Sequence, residues 1–344
     1  MKLKRNIKDL DLSELESFIV SSKLPKFRAQ QVFEWVYKDV AGFYEMTNLP
    51  KALIDILERD FFIPRYEILN IQYSKTDKTR KYLFKLTDEA AVECVLMEYS
   101  HGKTACISTQ VGCKMACTFC ASAMGGFVRN LSCGEMLEEV MAISRDVKDR
   151  ISNIVLMGMG EPFDNYDEII KFLKLINNSK GLNVGMRHIT VSTSGIVPKI
   201  YDFADEQLQC TLAISLHAAD DNTRNLLMPI NKKYNIAALM EACDYYVKKT
   251  NRRITYEYAL IKNVNDSGEA AEKLAKLLRG QLCHVNLIPM NSVEGKAFEK
   301  SPKASVQSFK ELLERRGIEA TIRRELGSEI DAACGQLRRR VQEL

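Results

Sequence analysis

The chain has 344 residues, 46% apolar and 27% charged, which is the balance of a packed globular protein with room for one large domain and a smaller one. No apolar run approaches the roughly 18 to 20 residues that span a bilayer, and the charged start MKLKRNIKDLDLSELESF lacks the apolar core of a signal peptide. A net charge of +4 is too small to announce a nucleic-acid partner by itself, so the expectation at this level is a cytoplasmic monomer with no membrane contact.

In chain order, residues 1–65 read as helices, because LSELESFIVSS, KFRAQQVFEWVYK and LPKALIDILERDF space their apolar residues at three and four. The basic residues Lys23, Lys26 and Arg28 make this unit a candidate RNA-docking module. Over 66–99 the period shortens to about two, in YEILNIQYS, RKYLFKLTD and AVECVLMEY, which predicts a small antiparallel meander acting as a β extension. From residue 100 to 344, short strand-like runs alternate with amphipathic segments such as YDEIIKFLKLINN and AEKLAKLLRG, the pattern of a parallel α/β fold closed or partly closed as a barrel. Ser132 and Glu135 have the spacing of a capping box, with Leu131 before them, and predict a helix start directly after the cysteine-rich stretch.

Polar and glycine-rich motifs punctuate the ends of these runs: CKMAC, MGEP, STSG, SLHA, PMN and GSEIDAACGQ. In a barrel of parallel strands those loops emerge at one C-terminal face, where barrel enzymes place their chemistry. Cys113, Cys117 and Cys120, spaced C-x3-C-x2-C, offer three soft thiolates for a [4Fe-4S] cluster and leave the fourth iron without a protein ligand. A vacant iron can be chelated by the amino and carboxylate groups of a cofactor. Structural zinc, the alternative, wants four closed ligands, and no second cysteine knuckle lies nearby. Phe119, directly before the last cysteine, is typical of the radical S-adenosylmethionine (SAM) superfamily. Gly158, Gly160 and Glu161 in LMGMGEP resemble the glycine-rich element that holds the SAM amino group; the glycines permit close backbone approach and the carboxylate can pair with an ammonium. Ser192, Ser215, Leu216, His217 and Asn291 occupy equivalent strand ends and are candidates for the cofactor's ribose, carboxylate or adenine, although each alone reads as a cap or turn residue.

Of ten cysteines, Cys94, Cys133, Cys210, Cys243 and Cys283 sit in apolar or amphipathic stretches and read as small buried hydrophobes. Packing is also the first reading of Cys106, and it stands about even for Cys334 in the polar, glycine-broken DAACGQ. Glu93, alternating with Val92 and Cys94, reads as a strand residue facing water. The arginine groups Arg323, Arg324 and Arg338, Arg339, Arg340 read first as solvated surface and second as phosphate contacts.

CISTQVGCKMACTFCASAMGGFVRNL, VLMGMGEP, VSTSGIVP, AISLHA, MPINKKYNI, HVNLIPMN and EIDAACGQL together resemble the RlmN/Cfr family of RNA methyltransferases from about residue 14 to the C-terminus. The resemblance implies a partial (β/α)6 TIM-like barrel of the radical SAM type over 100–344, with the helical accessory domain and β extension in front of it. It implies two SAM per turnover: one methylates Cys334, and the other, bound at the cluster, generates a radical that activates the S-methyl group for addition to an adenine carbon. Glu93 is then the base that removes the adenine proton. Cys106 releases the product by thiol–disulfide exchange with Cys334. The implied substrates are an adenosine of 23S rRNA, methylated at C2, and an adenosine in some tRNAs, with a low-potential electron donor such as flavodoxin or ferredoxin. GGFVRNL and NLIPMN stand nearer to RlmN than to the alternative, a Cfr-like enzyme that acts at C8 and confers antibiotic resistance.

Overall fold

The computed structural model describes residues 4–290, 298–330 and 332. Asn291, Cys334 and the arginine run 338–340 lie outside the described residues.

The N-terminal unit comprises β1 (Arg5–Asn6), α1 (Leu12–Ser21), α2 (Arg28–Val36), α3 (Lys51–Asp60) and β2 (Phe61–Phe62), with β2 parallel to β1. Asp11 and Glu14 form a capping box that starts α1. The apolar faces, among them Leu15, Ile19, Val32, Phe33, Leu53 and Leu57, are buried. Two of the three basic residues expected to dock RNA are used inside the unit: Lys26 pairs with Glu16 at 2.9 Å, and Arg28 donates to Gln31 Oε1 at 2.7 Å. A buried ion pair between Lys8 and Glu138 fastens the unit to the larger domain, and the Tyr66 amide donates to Glu138 Oε1 at 3.1 Å.

The meander is present as β3 (Glu67–Tyr73), β4 (Arg80–Lys85) and β5 (Ala91–Tyr99). It is not a separate layer, because β5 pairs antiparallel with β6 (Gly102–Cys106), the first barrel strand, so the extension continues the main sheet. Alternation in the sequence identifies strands but not the edge each one pairs with. Then β7 (Gln110–Gly112) and β8 (Phe127–Asn130) form a small antiparallel pair on either side of the cysteine loop. The chain continues through α4 (Cys133–Val147), β9 (Asn153–Leu156), α5 (Tyr166–Ile176), β10 (Ile189–Thr193), α6 (Val197–Asp205), β11 (Thr211–Ser215), α7 (Asp221–Leu227) and α8 (Ile236–Thr250). It ends in β12 (Ile254–Leu260), α9 (Gly268–Leu277), β13 (Cys283–Pro289), α10 (Lys303–Arg315) and β14 (Ala320–Ile322).

Strands β6 and β9 to β14 run parallel, joined by six helical crossovers, in a ten-stranded sheet ordered β14-β13-β12-β11-β10-β9-β6-β5-β4-β3. The six strand–helix units expected from sequence are therefore completed by a short seventh parallel strand, and among the described residues the barrel is open. Ser132 caps α4 as its spacing predicts, with Glu135 returning the bond. Among the described residues no helix is long and apolar enough to cross a membrane.

Candidate active site

The parallel strands deliver their C-terminal ends to one cavity. It is lined by Cys113, Cys117, Phe119 and Cys120 from the cysteine loop, Gly158, Gly160 and Glu161 after β9, Ser192 to Ser194 at the end of β10, Ser215 at the end of β11 and His217 just after it. Residues predicted from motifs spread over a hundred positions thus share one wall.

Pairing of β7 with β8 fixes the base of the cysteine loop. Gly112 adopts φ +77° there, and a Cβ would fall 1.8 Å from the Gly126 carbonyl oxygen, so no side chain fits. The Cys113 amide donates to that same carbonyl at 3.0 Å. Farther along, the Thr118 amide donates to the Leu227 carbonyl at 3.0 Å, seating the loop on the end of α7. Burial pushes the Cys113 thiol up to about 12 and also raises Cys117. Such desolvated thiols hold their protons until a metal centre displaces them. The three cysteines line the same cavity, although among the described residues no three His, Cys, Asp or Glu side chains are gathered for a single metal ion. Three soft thiolates on one cavity wall are a donor set that would fit an iron–sulfur cubane.

After β9 the chain turns at Gly160 with φ +107°, where a Cβ would lie 2.7 Å from Thr109 Oγ1 and from Gln110 Cβ. The Glu161 carboxylate accepts from the Phe163 amide at 3.0 Å and the Ser194 amide at 2.7 Å, tying the β9 and β10 loops together. Glu161 is thus a brace of the cavity as well as part of its lining; burial raises its carboxyl above the ordinary range.

His217 is buried with φ +56°, and its Nδ1 accepts from the Ala259 amide at 2.9 Å. That bond fixes the neutral tautomer with its proton on Nε2, a donor for a ligand. Burial, helped by Arg224, lowers the imidazole to about 3. Phe119 stacks edge-on against His217 at 5.0 Å between centroids. Leu216 differs from its neighbours: its side chain belongs to the main apolar core and does not line the cavity, and its carbonyl is taken by Arg224 at 3.1 Å.

Cys106 and Glu93 stand outside the lining of this cavity. Val95 is paired with Cys106 across the β5–β6 ladder, and Glu93, two residues from Val95, shares their face. Cys106 packs with Val95, Met97, Met159, Leu326 and Ala332, with Met157 against the same cluster. Met157 also lines the cofactor cavity. Glu93 does not face water as its alternation suggests: it is buried, and Lys81 Nζ lies 2.9 Å from its Oε1 with both side chains only 4% exposed. Ser108 Oγ donates to the Glu93 carbonyl at 2.7 Å and accepts from the Met159 amide at 2.9 Å, linking this strand to the glycine turn.

Three further residues escape sequence reading. Lys81 resembles any strand lysine, and Arg224 any helix arginine. Glu257 on β12 lines the cavity, where burial raises its carboxyl; Asn286 Nδ2 donates to it at 2.9 Å. Of the five cysteines read as packing residues, Cys94, Cys133, Cys210 and Cys243 are buried and Cys283 is partly so.

Comparison with known proteins places this geometry. Residues 107–278 match the family model of the radical SAM superfamily, and residues 5–63 match that of the ribosomal RNA large subunit methyltransferase N-terminal domain. A relative from Clostridium botulinum (strain Eklund 17B / Type B), named "Probable dual-specificity RNA methyltransferase RlmN", is 52% identical over 97% of this chain and 96% of its own. One of the same name from Caldanaerobacter subterraneus subsp. tengcongensis is 55% identical over 97% and 98%. A crystal structure of a radical SAM methyltransferase from Sphaerobacter thermophilus superposes with a TM-score of 0.92 at 43% identity, covering 97% of this chain and 99% of that one.

Proposed function

The chain belongs to the RlmN family of radical SAM RNA methyltransferases, and from that premise we propose that it methylates C2 of an adenosine in 23S rRNA, and an adenosine in some tRNAs, by way of Cys334. The family brings a [4Fe-4S] cluster and SAM, with Cys113, Cys117 and Cys120 holding the cluster and the walls at Gly160, Glu161, Ser192, Ser215 and His217 receiving SAM. Bound there, the pair supplies the one-electron chemistry needed to activate an unreactive C–H bond, with a flavodoxin or ferredoxin as electron source.

The observation that carries the reading is the position of Ala332. It lies two residues before Cys334 in sequence and belongs to the apolar cluster that contains Cys106, a cluster bordered by Met157 of the cofactor cavity. The last described residue before Cys334 in sequence therefore belongs to the same cluster as the resolving thiol assigned to Cys106.

In this reading Cys334 joins enzyme to RNA through a methylene, and Glu93 takes the proton from the adenine carbon. Lys81 Nζ, 2.9 Å from Glu93 Oε1, is the buried partner that holds this carboxylate in place. Cys106 as thiolate then attacks the Cys334 sulfur. A sulfur–sulfur bond forms, the carbon–sulfur bond breaks with its electron pair going to carbon, and that carbon takes up a proton as the new methyl group. An external thiol reduces the disulfide for the next turnover. Mapping ribosomal RNA by mass spectrometry in cells lacking the gene tests the assignment: 2-methyladenosine disappears if it holds, and intact C2 methylation, or loss of a C8 methyl instead, refutes it.

A further inference from the structure

Arg224, near the end of α7, is fully buried. Its guanidinium donates from Nε to the Leu216 carbonyl at 3.1 Å, from Nη1 to Asn231 Oδ1 at 2.9 Å, and from Nη2 to the Ser194 and Ser215 carbonyls at 2.7 and 3.2 Å. All four acceptors are neutral. Among the described residues the other buried cations, Lys8 and Lys81, each meet a carboxylate within ion-pair distance, at Glu138 and Glu93. Arg224 has none. Carbonyl dipoles satisfy its protons without cancelling its charge, and a buried charge calls for an opposite one.

The surroundings point to where that opposite charge comes from. The cysteine loop rests on the last turn of α7, with Thr118 donating its amide to the Leu227 carbonyl at 3.0 Å and its hydroxyl to the Leu226 carbonyl at 3.2 Å. Burial draws the guanidinium down to about 10. Arg224 is absent from the cavity lining, so it stands behind the wall and does not touch a ligand in front of it. The other charges at the loop are acidic or already paired: Glu161 is hydrogen-bonded to amides, and Asp164 is bound to Lys114 at 2.7 Å.

We infer that Arg224 is the fixed counter-charge of the iron–sulfur cluster and raises its reduction potential, while its fork clamps the ends of β10 and β11 that frame the SAM site. The inference rests on Cys113, Cys117 and Cys120 being the cluster ligands. Three thiolates on a doubly positive cubane core leave one net negative charge, and the added electron makes it two. A nearby cation stabilises the reduced form more than the oxidised one. Because four hydrogen bonds hold the guanidinium, that field is preorganised and does not relax when the electron arrives. Arg224 is thus a positioning residue, acting through the cluster and the loops and never on substrate.

The full-length protein, reconstituted anaerobically, is titrated with EPR detection of the reduced cluster, and iron content and SAM affinity are measured on the same samples. Arg224→Gln keeps hydrogen-bond donors and removes the charge; Arg224→Lys keeps the charge and loses the fork. The expected result is a midpoint potential that moves negative in Arg224→Gln and stays near that of the native protein in Arg224→Lys, with SAM bound more weakly by both. Full iron loading in the lysine variant and loss of iron in the glutamine variant counts the same way. Equal potentials in all three proteins, equal shifts in both variants, or equal loss of iron overturns the charge role and leaves Arg224 as a brace. Failure of the underlying ligand assignment is read separately: a variant with Cys113, Cys117 and Cys120 all replaced by Ala that still carries the cluster defeats that assignment whatever Arg224 does.

Discussion

Lys81 and Glu93 form a buried pair whose coupling can be measured. Their charged atoms are 2.9 Å apart and both side chains are 4% exposed, so solvent screens the pair little. Removing one member leaves the other buried charge without this ion pair, which costs roughly 3–5 kcal/mol in such settings. Lys81→Met leaves a carboxylate on the face of β5 shared with Val95 and Cys106; Glu93→Gln leaves an ammonium there instead. Each single variant is expected to lose about 3–5 kcal/mol, while the double variant, which strands no charge, loses much less than the sum. The resulting coupling energy is expected to be about 2 kcal/mol or more, within the range for residues in contact. Anaerobic urea denaturation of the native protein, both singles and the double closes the cycle. Methyl transfer distinguishes roles that stability cannot, because the double variant regains stability without regaining a base and so remains inactive. Additivity within about 0.5 kcal/mol, or an active double variant, would refute the reasoning.

Two further outcomes follow from the cavity wall. Gly160→Ala puts a methyl group 2.7 Å from Thr109 Oγ1 at a φ of +107°, so a loss of about 1–3 kcal/mol and at least roughly tenfold weaker SAM binding by calorimetry, about 1.4 kcal/mol, are expected; unchanged affinity would mean the turn does not shape the site. His217, held near 3 against 6.5 when unfolded, is neutral in the folded chain. The unfolded state therefore binds the extra proton, and the stability His217 contributes is complete above about pH 6.5 and is lost as pH falls toward 3. Between pH 7 and 5 the native protein should lose about 2 kcal/mol more than His217→Gln, measured by denaturation at each pH; parallel pH curves would contradict the buried neutral imidazole.

The residues legible in the sequence are those whose chemistry is local. Ser132 and Glu135 cap α4 because a capping box needs only a spacing of three, and the glycines around the cysteine loop and after β9 announce tight backbone. Motifs at strand ends converge because parallel topology forces them to one face. What escaped depends on distant partners. Lys81 meets Glu93 only because β4 and β5 pair in the register Leu83 with Glu93 and Lys81 with Val95, a fact of ladder alignment that neither strand carries alone. Arg224 sits in the short helix DNTRNLL, where a single arginine among polar residues reads as surface; its burial follows from the ends of β10 and β11 closing over it. The β extension was recognisable as strands, and the thirteen-residue step from Glu93 to Cys106 has the spacing of the antiparallel hairpin that β5 and β6 form.

The relay between Cys334 and Cys106 is tested most directly with the Cys106→Ala protein, incubated anaerobically with SAM, a one-electron reductant and ribosomal RNA, then digested and examined by mass spectrometry. The account predicts a stable protein–RNA adduct in which an adenosine is joined through one methylene to the Cys334 peptide, with no free methylated RNA. Normal release of methylated adenosine without an adduct would contradict it.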